Sequence, residues 1–295
     1  MPKYLIFIVD GNINKHNNRR KIQDGDGIKM NYKYNNLINY LKDLGSVAVA
    51  FSGGVDSTLL LKAAKEALGD NAISITVVSP YIPKWEIEEA KELANNIGIK
   101  SYFLEVPMLE EIRFNPEDRC YICKKGVFSK IKELAKEKGA KYIVDGTNLD
   151  DTKDYRPGMR ALKELDVKSP LLENSINKEE IRTLSKELGL ETWNKPAYAC
   201  LLSRIPYNQE IKEEDLFRIE KAEVYMMELG FKAVRVRSHG DLARIEVPKN
   251  ERAKLFNEDI LDNVSEKLKK VGFKYVTVDT EGYKMGSLNI GINKN

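Results

Sequence analysis

From Asn35 onward the apolar residues fall into short blocks that alternate between two spacings. Leu37–Leu44 carries the spacing of a short helix. Ser46–Phe51, "SVAVAF", is a β-branched and apolar run between turn residues, the pattern of a strand buried on both faces. A helix follows in "DSTLLLKAAKEALG", closed by Gly69. The alternation continues through "AISITVVS", a helix from Pro83 to Ile97, "SYFLEV", a helix from Val127 to Lys138, and "KYIVDG". Strands separated by helices build βαβ units, hence a doubly wound parallel sheet with helices on both faces. In such sheets ligands sit beyond the carboxyl ends of the strands. The loops after Phe51, Val78, Val106 and Val144 therefore converge on one predicted site.

The pattern changes after Arg204. "EEDLFRIEKAEVYMMELG" reads as a helix, and "FKAVRVR" alternates as a half-buried strand does. "LGFKAVRVRSHG" (Leu229–Gly240) is then echoed by "VGFKYVTVDTEG" (Val271–Gly282), which suggests two helix–strand units with internal two-fold character. The predicted organisation is α/β with a small C-terminal α+β domain. An N-terminal extension covers residues 1–30, the main domain 31–205, and a substrate or oligomerisation domain 206–295. The boundary near Ile205–Asn208 carries loop chemistry. "MPKYLIFIVD" could form a strand, the polar stretch from Gly11 to Asn31 reads as mobile, and Met30 is an alternative start.

Composition narrows the class. The chain has 295 residues, 42% hydrophobic and 32% charged, enough for a packed core and a well-solvated surface. A net charge of +3 is too small for an extended nucleic-acid footprint, so a tRNA partner is disfavoured. No apolar run approaches the roughly 18 residues of a membrane helix, and no cleavage site follows the N-terminus, so the expected location is cytoplasmic. Three cysteines, an odd number, do not make a secreted disulfide framework. In a reducing compartment they would be thiols, catalytic groups or metal ligands.

The densest chemistry lies in Ser52-Gly53-Gly54-Val55-Asp56-Ser57, between the first buried strand and its helix. It is not the common P-loop, which requires a lysine that is missing here. The glycines let the main chain come close to a ligand. Successive N–H groups at a helix start form an anion pocket, to which Ser52 and Ser57 add hydroxyls. Asp56 is out of place beside phosphates unless it works through Mg²⁺ or fixes the loop. The bland alternative is a glycine turn with a helix cap, and the six-residue pattern after an apolar strand outweighs it.

This motif resembles the PP-loop of the ATP pyrophosphatase superfamily, with its adenine nucleotide alpha hydrolase-like fold. "DRCYICKK" (Asp118–Lys125), "DGTNLDDTKDYRPGMRAL" (Asp145–Leu162), "WNKPAYACLLSRIPY" (Trp193–Tyr207) and "VRVRSHGDLARIEVP" (Val234–Pro248) together resemble the LarE family, over roughly Asn35 to Leu288. The resemblance implies cleavage of ATP between its α- and β-phosphates and adenylation of a substrate carboxylate. Sulfur then displaces AMP, as in synthesis of the nickel-pincer nucleotide from a pyridinium dicarboxylate mononucleotide. The expected cofactors are ATP and Mg²⁺, the partners a small-molecule mononucleotide and a sulfide or sulfur donor, and the assembly a homo-oligomer.

Members of that family with only the cysteine matching Cys200 are thought to sacrifice its sulfur. This chain adds Cys120 and Cys123. A Cys-x-x-Cys pair at a helix start can place two thiolates on one metal, and Cys200 would supply a third. Three soft ligands suit a [4Fe–4S] cluster with one iron open. Competing readings are a sacrificial Cys200, a zinc site, a redox pair, or three inert small apolar residues. Zinc would need a fourth ligand, for which only His16 and His239 are available.

Other candidates surround these. Arg235 and Arg237 alternate along a strand and so share a face, and the resemblance assigns them to the substrate's phosphate; Ser203 and Arg204, close after Cys200, are expected to assist. The alternative is an ordinary solvated strand face. Gly146, Thr147 and Asn148 follow a strand and are expected at the nucleotide. Asp150, Asp151, Asp154 and Arg156 either orient Mg²⁺–ATP or only solvate a loop. Trp193 stacks or packs, His239 reads as a turn residue, and Lys124 and Lys125 lend positive potential. Cys200, Cys120, Cys123 and Asp56 are the catalytic candidates. A tRNA-thiolating enzyme, and a non-catalytic ATP sensor or iron–sulfur carrier, are the rival functions.

Overall fold

Alternating burial organises the sheet. Along one strand Val47 and Val49 join one apolar cluster, and Ala48 between them joins another. Side chains on a strand point to opposite faces in turn, so both faces of this sheet are covered. The computed structural model describes residues 6–9, 25–153 and 157–284. Residues 11–24, which include His16, and the loop residues Asp154 and Arg156 lie outside the described residues.

The chain divides into two compact units, one holding most of residues 1–197, the other residues 80–83, 108–119 and those from 198 onward. In chain order the first contains β1 (Ile6–Val9), α1 (Gly25–Leu44), β2 (Val47–Ala50), α2 (Val55–Leu68), β3 (Ala72–Val78), α3 (Lys84–Ile97) and β4 (Lys100–Glu105). It continues with α4 (Arg119–Glu137), β5 (Tyr142–Val144), α5 (Gly158–Glu164), α6 (Pro170–Glu173) and α7 (Lys178–Glu187). The sheet order is β1-β4-β3-β2-β5. β2 to β5 are parallel, and β1 pairs antiparallel with β4, Ile6 opposite Leu104. The expected doubly wound sheet is present, with one reversed edge strand added.

Two elements are longer than their apolar pattern. α1 begins at Gly25, so its first turns are polar, and its buried stripe is Tyr34, Leu37, Ile38 and Leu41 at helical spacing. α4 begins at Arg119, eight residues before the expected Val127. Its early residues Cys120 to Gly126 lack an apolar stripe, while Val127, Phe128, Ile131 and Leu134 pack on the sheet beside Ile75, Tyr102 and Leu104. α2 is buried nearly all round, with Leu59, Leu60 and Leu61 all at 0% exposure.

The second unit contains α8 (Glu213–Glu228), β6 (Arg235–His239), β7 (Leu242–Glu246), α9 (Arg252–Leu255), α10 (Glu258–Lys270) and β8 (Tyr275–Val278). β6 and β7 are an antiparallel hairpin turning at Gly240-Asp241, and β8 adds parallel to β7. The echoed sequence is a repeated helix stop. Phe231 N donates to Met226 O at 3.2 Å and Gly230 N to Met227 O at 2.8 Å; Phe273 N donates to Leu268 O at 3.2 Å and Gly272 N to Lys269 O at 3.0 Å. Both glycines have positive φ and both phenylalanines are buried, the hydrogen-bond pattern and apolar contact of a Schellman cap. β6 departs from the half-buried expectation: Arg235, Val236, Arg237 and Ser238 are all buried.

Replacing Leu60 with alanine should lower stability by about 2–5 kcal/mol, the usual cost of emptying a fully buried leucine site. Urea unfolding followed by circular dichroism measures it.

Candidate active site

Where β2 ends, Phe51 N still donates to Ile75 O at 3.0 Å, and the chain then turns away from the sheet. Gly53 has φ +68°, a conformation strained for any side chain, and a Cβ there would meet Ala90 Cα and Cβ at 3.2 Å. The Gly54 carbonyl starts α2 by accepting from Thr58 N (2.9 Å), Thr58 Oγ1 (2.8 Å) and Ser57 Oγ (3.1 Å). Ser52 Oγ lies 3.1 Å from Ser57 Oγ, and Ser57 Oγ also receives Ser52 N at 3.4 Å. Two hydroxyls and the first amides of a 14-residue helix therefore gather at one point. The positive end of the helix dipole favours an anion there.

The loop after β5 packs directly on this turn. A Cβ on Gly146 would meet Ser57 N at 3.0 Å and Asp56 Cβ at 3.2 Å, so only glycine allows the two backbones to lie so close. Asp145 holds the loop by accepting from Thr147 Oγ1 at 2.5 Å and Ser169 Oγ at 2.6 Å. Asn148 Nδ2 donates to Asp56 Oδ1 at 3.2 Å, and Lys178 Nζ donates to Asp56 Oδ2 at 2.5 Å. Lys178 opens α7, whose Asn177 and Glu180 form a reciprocal capping box. Asp150 accepts from Lys153 Nζ at 2.7 Å and from Lys178 N at 2.8 Å. Those bonds, Lys153 first, hold its carboxyl below the usual range. Asp151 accepts from Asn148 N at 3.0 Å, so the acidic loop is structured around Asn148.

Cys120 and Cys123 sit one turn apart in the first turns of α4; Cys120 is exposed and Cys123 packs partly against the apolar cluster. No disulfide joins them. Gly158 lets α5 abut this helix closely, with the Lys124 side chain lying where a Cβ would stand. Lys125 pairs with Glu164, and Arg160 lies 3.7 Å over the Tyr121 ring. Among the described residues no group of three or more His, Cys, Asp or Glu side chains is gathered to hold a metal ion.

In the second unit Cys200 precedes a 3-10 turn, Leu201–Arg204. Arg204 is 1% exposed. Its Nε and Nη2 donate to the two Glu223 oxygens at 2.8 and 2.9 Å, and its Nη1 to Ala199 O (2.7 Å), Cys200 O (3.1 Å) and Ser203 Oγ (2.7 Å). Arg204, expected to assist at a substrate phosphate, thus braces the Cys200 turn through Nη1 and pairs with Glu223 through Nε and Nη2. Arg237 is likewise buried: it donates to Glu246 at 3.0 and 2.8 Å and to the Ser203 carbonyl. Arg235 is buried, with Nη1 on Val234 O at 2.8 Å and its guanidinium 5.4 Å from the Tyr198 ring and 4.9 Å from that of Tyr283. Burial, then the nearby Arg204, pushes its pKa down. These three arginines are thus buried, two of them, Arg204 and Arg237, paired to carboxylates.

Asn115 ties a second segment to the same turn. Held at φ +50°, it donates through Nδ2 to Ile205 O at 2.8 Å and Pro206 O at 3.0 Å. Arg119 stacks 4.1 Å over the Tyr207 ring. Trp193 is exposed with Lys186 over its ring, and His239 ends the β6 strand, its pKa lowered by burial and by Arg244. Lys178, Lys195, Glu223, Glu246 and Asn115 were missed from the sequence. Lys178 alone carried a signal, the capping pattern Asn177-x-x-Glu180 around it.

Residues 25–118 match the NAD synthase family model, the stretch that includes the Ser52–Ser57 turn. The chain is 43% identical over 264 residues to an uncharacterised protein of Synechocystis, covering 89% of this chain and 98% of that one. It is 38% identical over 263 residues to the pyridinium-3,5-bisthiocarboxylic acid mononucleotide synthase of Lactiplantibacillus plantarum, covering 88% and 94%. A glutamine-hydrolysing GMP synthase of Aeropyrum pernix is 26% identical over 177 residues, covering 52% of this chain and 34% of that one.

The chain belongs to the LarE family. LarE is an enzyme of the PP-loop superfamily, which uses ATP with Mg²⁺, and the Ser52–Ser57 turn is its PP-loop.

Gly146→Ala should weaken Mg²⁺–ATP binding by at least about tenfold while the protein stays folded, because the added methyl separates the β5 loop from the PP-loop; calorimetric titration and a thermal melt read the two effects. Glu223→Ala strands the buried Arg204 charge and should cost about 3–5 kcal/mol of stability in urea titration.

Proposed function

We propose that the chain uses ATP to adenylate a carboxylate of a pyridinium dicarboxylate mononucleotide and then replaces an oxygen with sulfur. The carboxylate oxygen attacks the α-phosphorus, the bond to the β-phosphate oxygen breaks, and pyrophosphate leaves. A sulfide nucleophile then attacks the acyl carbon, and AMP departs with the carbon–oxygen bonding pair, leaving a thiocarboxylate.

The observation that supports this most is the close packing of Gly146 on the Ser52–Ser57 loop, read together with the relative from Lactiplantibacillus plantarum that is named for such a product. The loop amides and the Ser52 and Ser57 hydroxyls bind and orient the departing diphosphate. Asp56 is the ligand of choice for Mg²⁺, and Lys178 shares its carboxylate. Gly146, Thr147 and Asn148 form the opposite wall of the nucleotide site. For the substrate's own phosphate, Arg235 and Arg237 are the candidates, and Ser203 and Arg204 shape the turn that carries Cys200.

The donor set suits a [4Fe–4S] cluster on Cys120, Cys123 and Cys200. Two thiols stand one helical turn apart, and residues 115–119, which lead into Cys120, are bonded within the second unit to the segment following Cys200. When bound, such a cluster leaves one iron open to carry a sulfide. A reducing cytosol keeps these thiols available, and a homo-oligomeric assembly completes the reading.

Anaerobically reconstituted protein should bind about four irons per chain and lose them in Cys123→Ala and Cys200→Ala variants. Given ATP, Mg²⁺, sulfide and the mononucleotide, it should release pyrophosphate and yield a product with sulfur in place of oxygen by mass spectrometry. Iron unchanged in those variants removes the cluster. Loss of sulfur from Cys200 itself marks a sacrificial donor, and pyrophosphate release that requires tRNA marks an RNA-modifying enzyme.

A further inference from the structure

Lys195 follows the 3-10 turn Glu191–Asn194, in the first unit. Its side chain is only 11% exposed. The ammonium donates to the Gly53 carbonyl at 3.0 Å and to Glu89 Oε2 at 2.6 Å, with the Trp85 ring at 5.8 Å. Glu89 belongs to α3, and its neighbour Ala90 is the residue on which Gly53 packs so closely. One helix thus supplies both the surface beneath Gly53 and the countercharge of the lysine that grips it.

The Gly53 carbonyl and the Gly54 N–H belong to one planar trans peptide, so they point in opposite directions. Fixing the carbonyl toward Lys195 turns the Gly54 N–H the other way. That N–H has a long bond of 3.4 Å to Ser52 Oγ, weak enough to yield to a better acceptor. An ammonium on the carbonyl also polarises the peptide and strengthens its N–H as a donor. Because Glu89 offsets the lysine's charge, the effect reaches the ligand through the peptide rather than by direct contact.

We infer that Lys195 is a positioning residue which fixes the Gly53–Gly54 peptide so that the Gly54 N–H is presented to the phosphates of ATP. The inference rests on reading this loop as the ATP cradle. A purely structural Lys195 would tie residues 191–197 to α3, and its loss would lower stability without changing nucleotide affinity in the folded protein.

Calorimetric titration with Mg²⁺–ATP separates the two. Wild-type protein binds; Lys195→Met should bind about tenfold or more weakly, the equivalent of one charge-assisted hydrogen bond, and Lys195→Arg, which restores a donor to the same carbonyl, should recover most of the affinity. A folded Lys195→Met protein that binds as tightly as wild type overturns the inference. Wild-type protein that binds no nucleotide overturns the cradle itself. Amide exchange on the wild-type protein gives a reading that needs no variant: the Gly54 amide should become protected when Mg²⁺–ATP is added, and an amide that keeps exchanging freely overturns the inference.

Discussion

Two stretches of main chain can touch only where no side chain stands between them. That constraint, met by Gly146 against the Ser57 amide, sets the rest of the first unit's site. It fixes the distance between the ends of two neighbouring parallel strands, β2 and β5. From it follow the reach of Asn148 to Asp56, the anchoring of the loop by Asp145, and the approach of Lys178 from α7. Gly53 repeats the device on the other side, where α3 presses on the turn. The Ser52–Ser57 turn is therefore held between two surfaces, with little freedom left to lose.

Much of this was legible in the residues. The apolar runs marked β2 to β5, and the glycines marked the turn that the sheet geometry brings to its carboxyl edge. What escaped was of three kinds. The early turns of α1 and α4 have no apolar stripe, so periodicity could not find them; their helicity comes from being continuous with a packed segment. Lys178 and Lys195 lie 122 and 142 residues from the groups they bond, and a lone lysine looks the same whether solvated or gripping a carbonyl. The full burial of β6, expected to be half-buried, escaped for a related reason. Alternation put Arg235 and Arg237 on one face, yet it could not say that Glu246 would neutralise Arg237 and close that face to water.

The second unit shows what such burial achieves. Moving a guanidinium and a carboxylate out of water is expensive, and a buried pair is seldom a net source of stability. Its value lies in direction. Arg204 holds the two carbonyls just before its turn, those of Ala199 and Cys200, Arg237 holds that of Ser203, and Glu223 accepts from the Val236 amide of β6. The turn bearing Cys200 is thereby moored to a sheet rather than left as a loose loop.

The reversed edge strand has a consequence of its own. A sheet margin with open N–H and C=O groups is a template for unwanted pairing with another molecule. β1 occupies that margin, running against β4 from Ile6–Leu104 to Val9–Ser101. Without β1, Lys100–Glu105 would become a bare border with Tyr102, Phe103 and Leu104 at its centre. Four residues of β1 thereby keep that border from pairing with a second molecule, and none of them belongs to the Ser52–Ser57 turn.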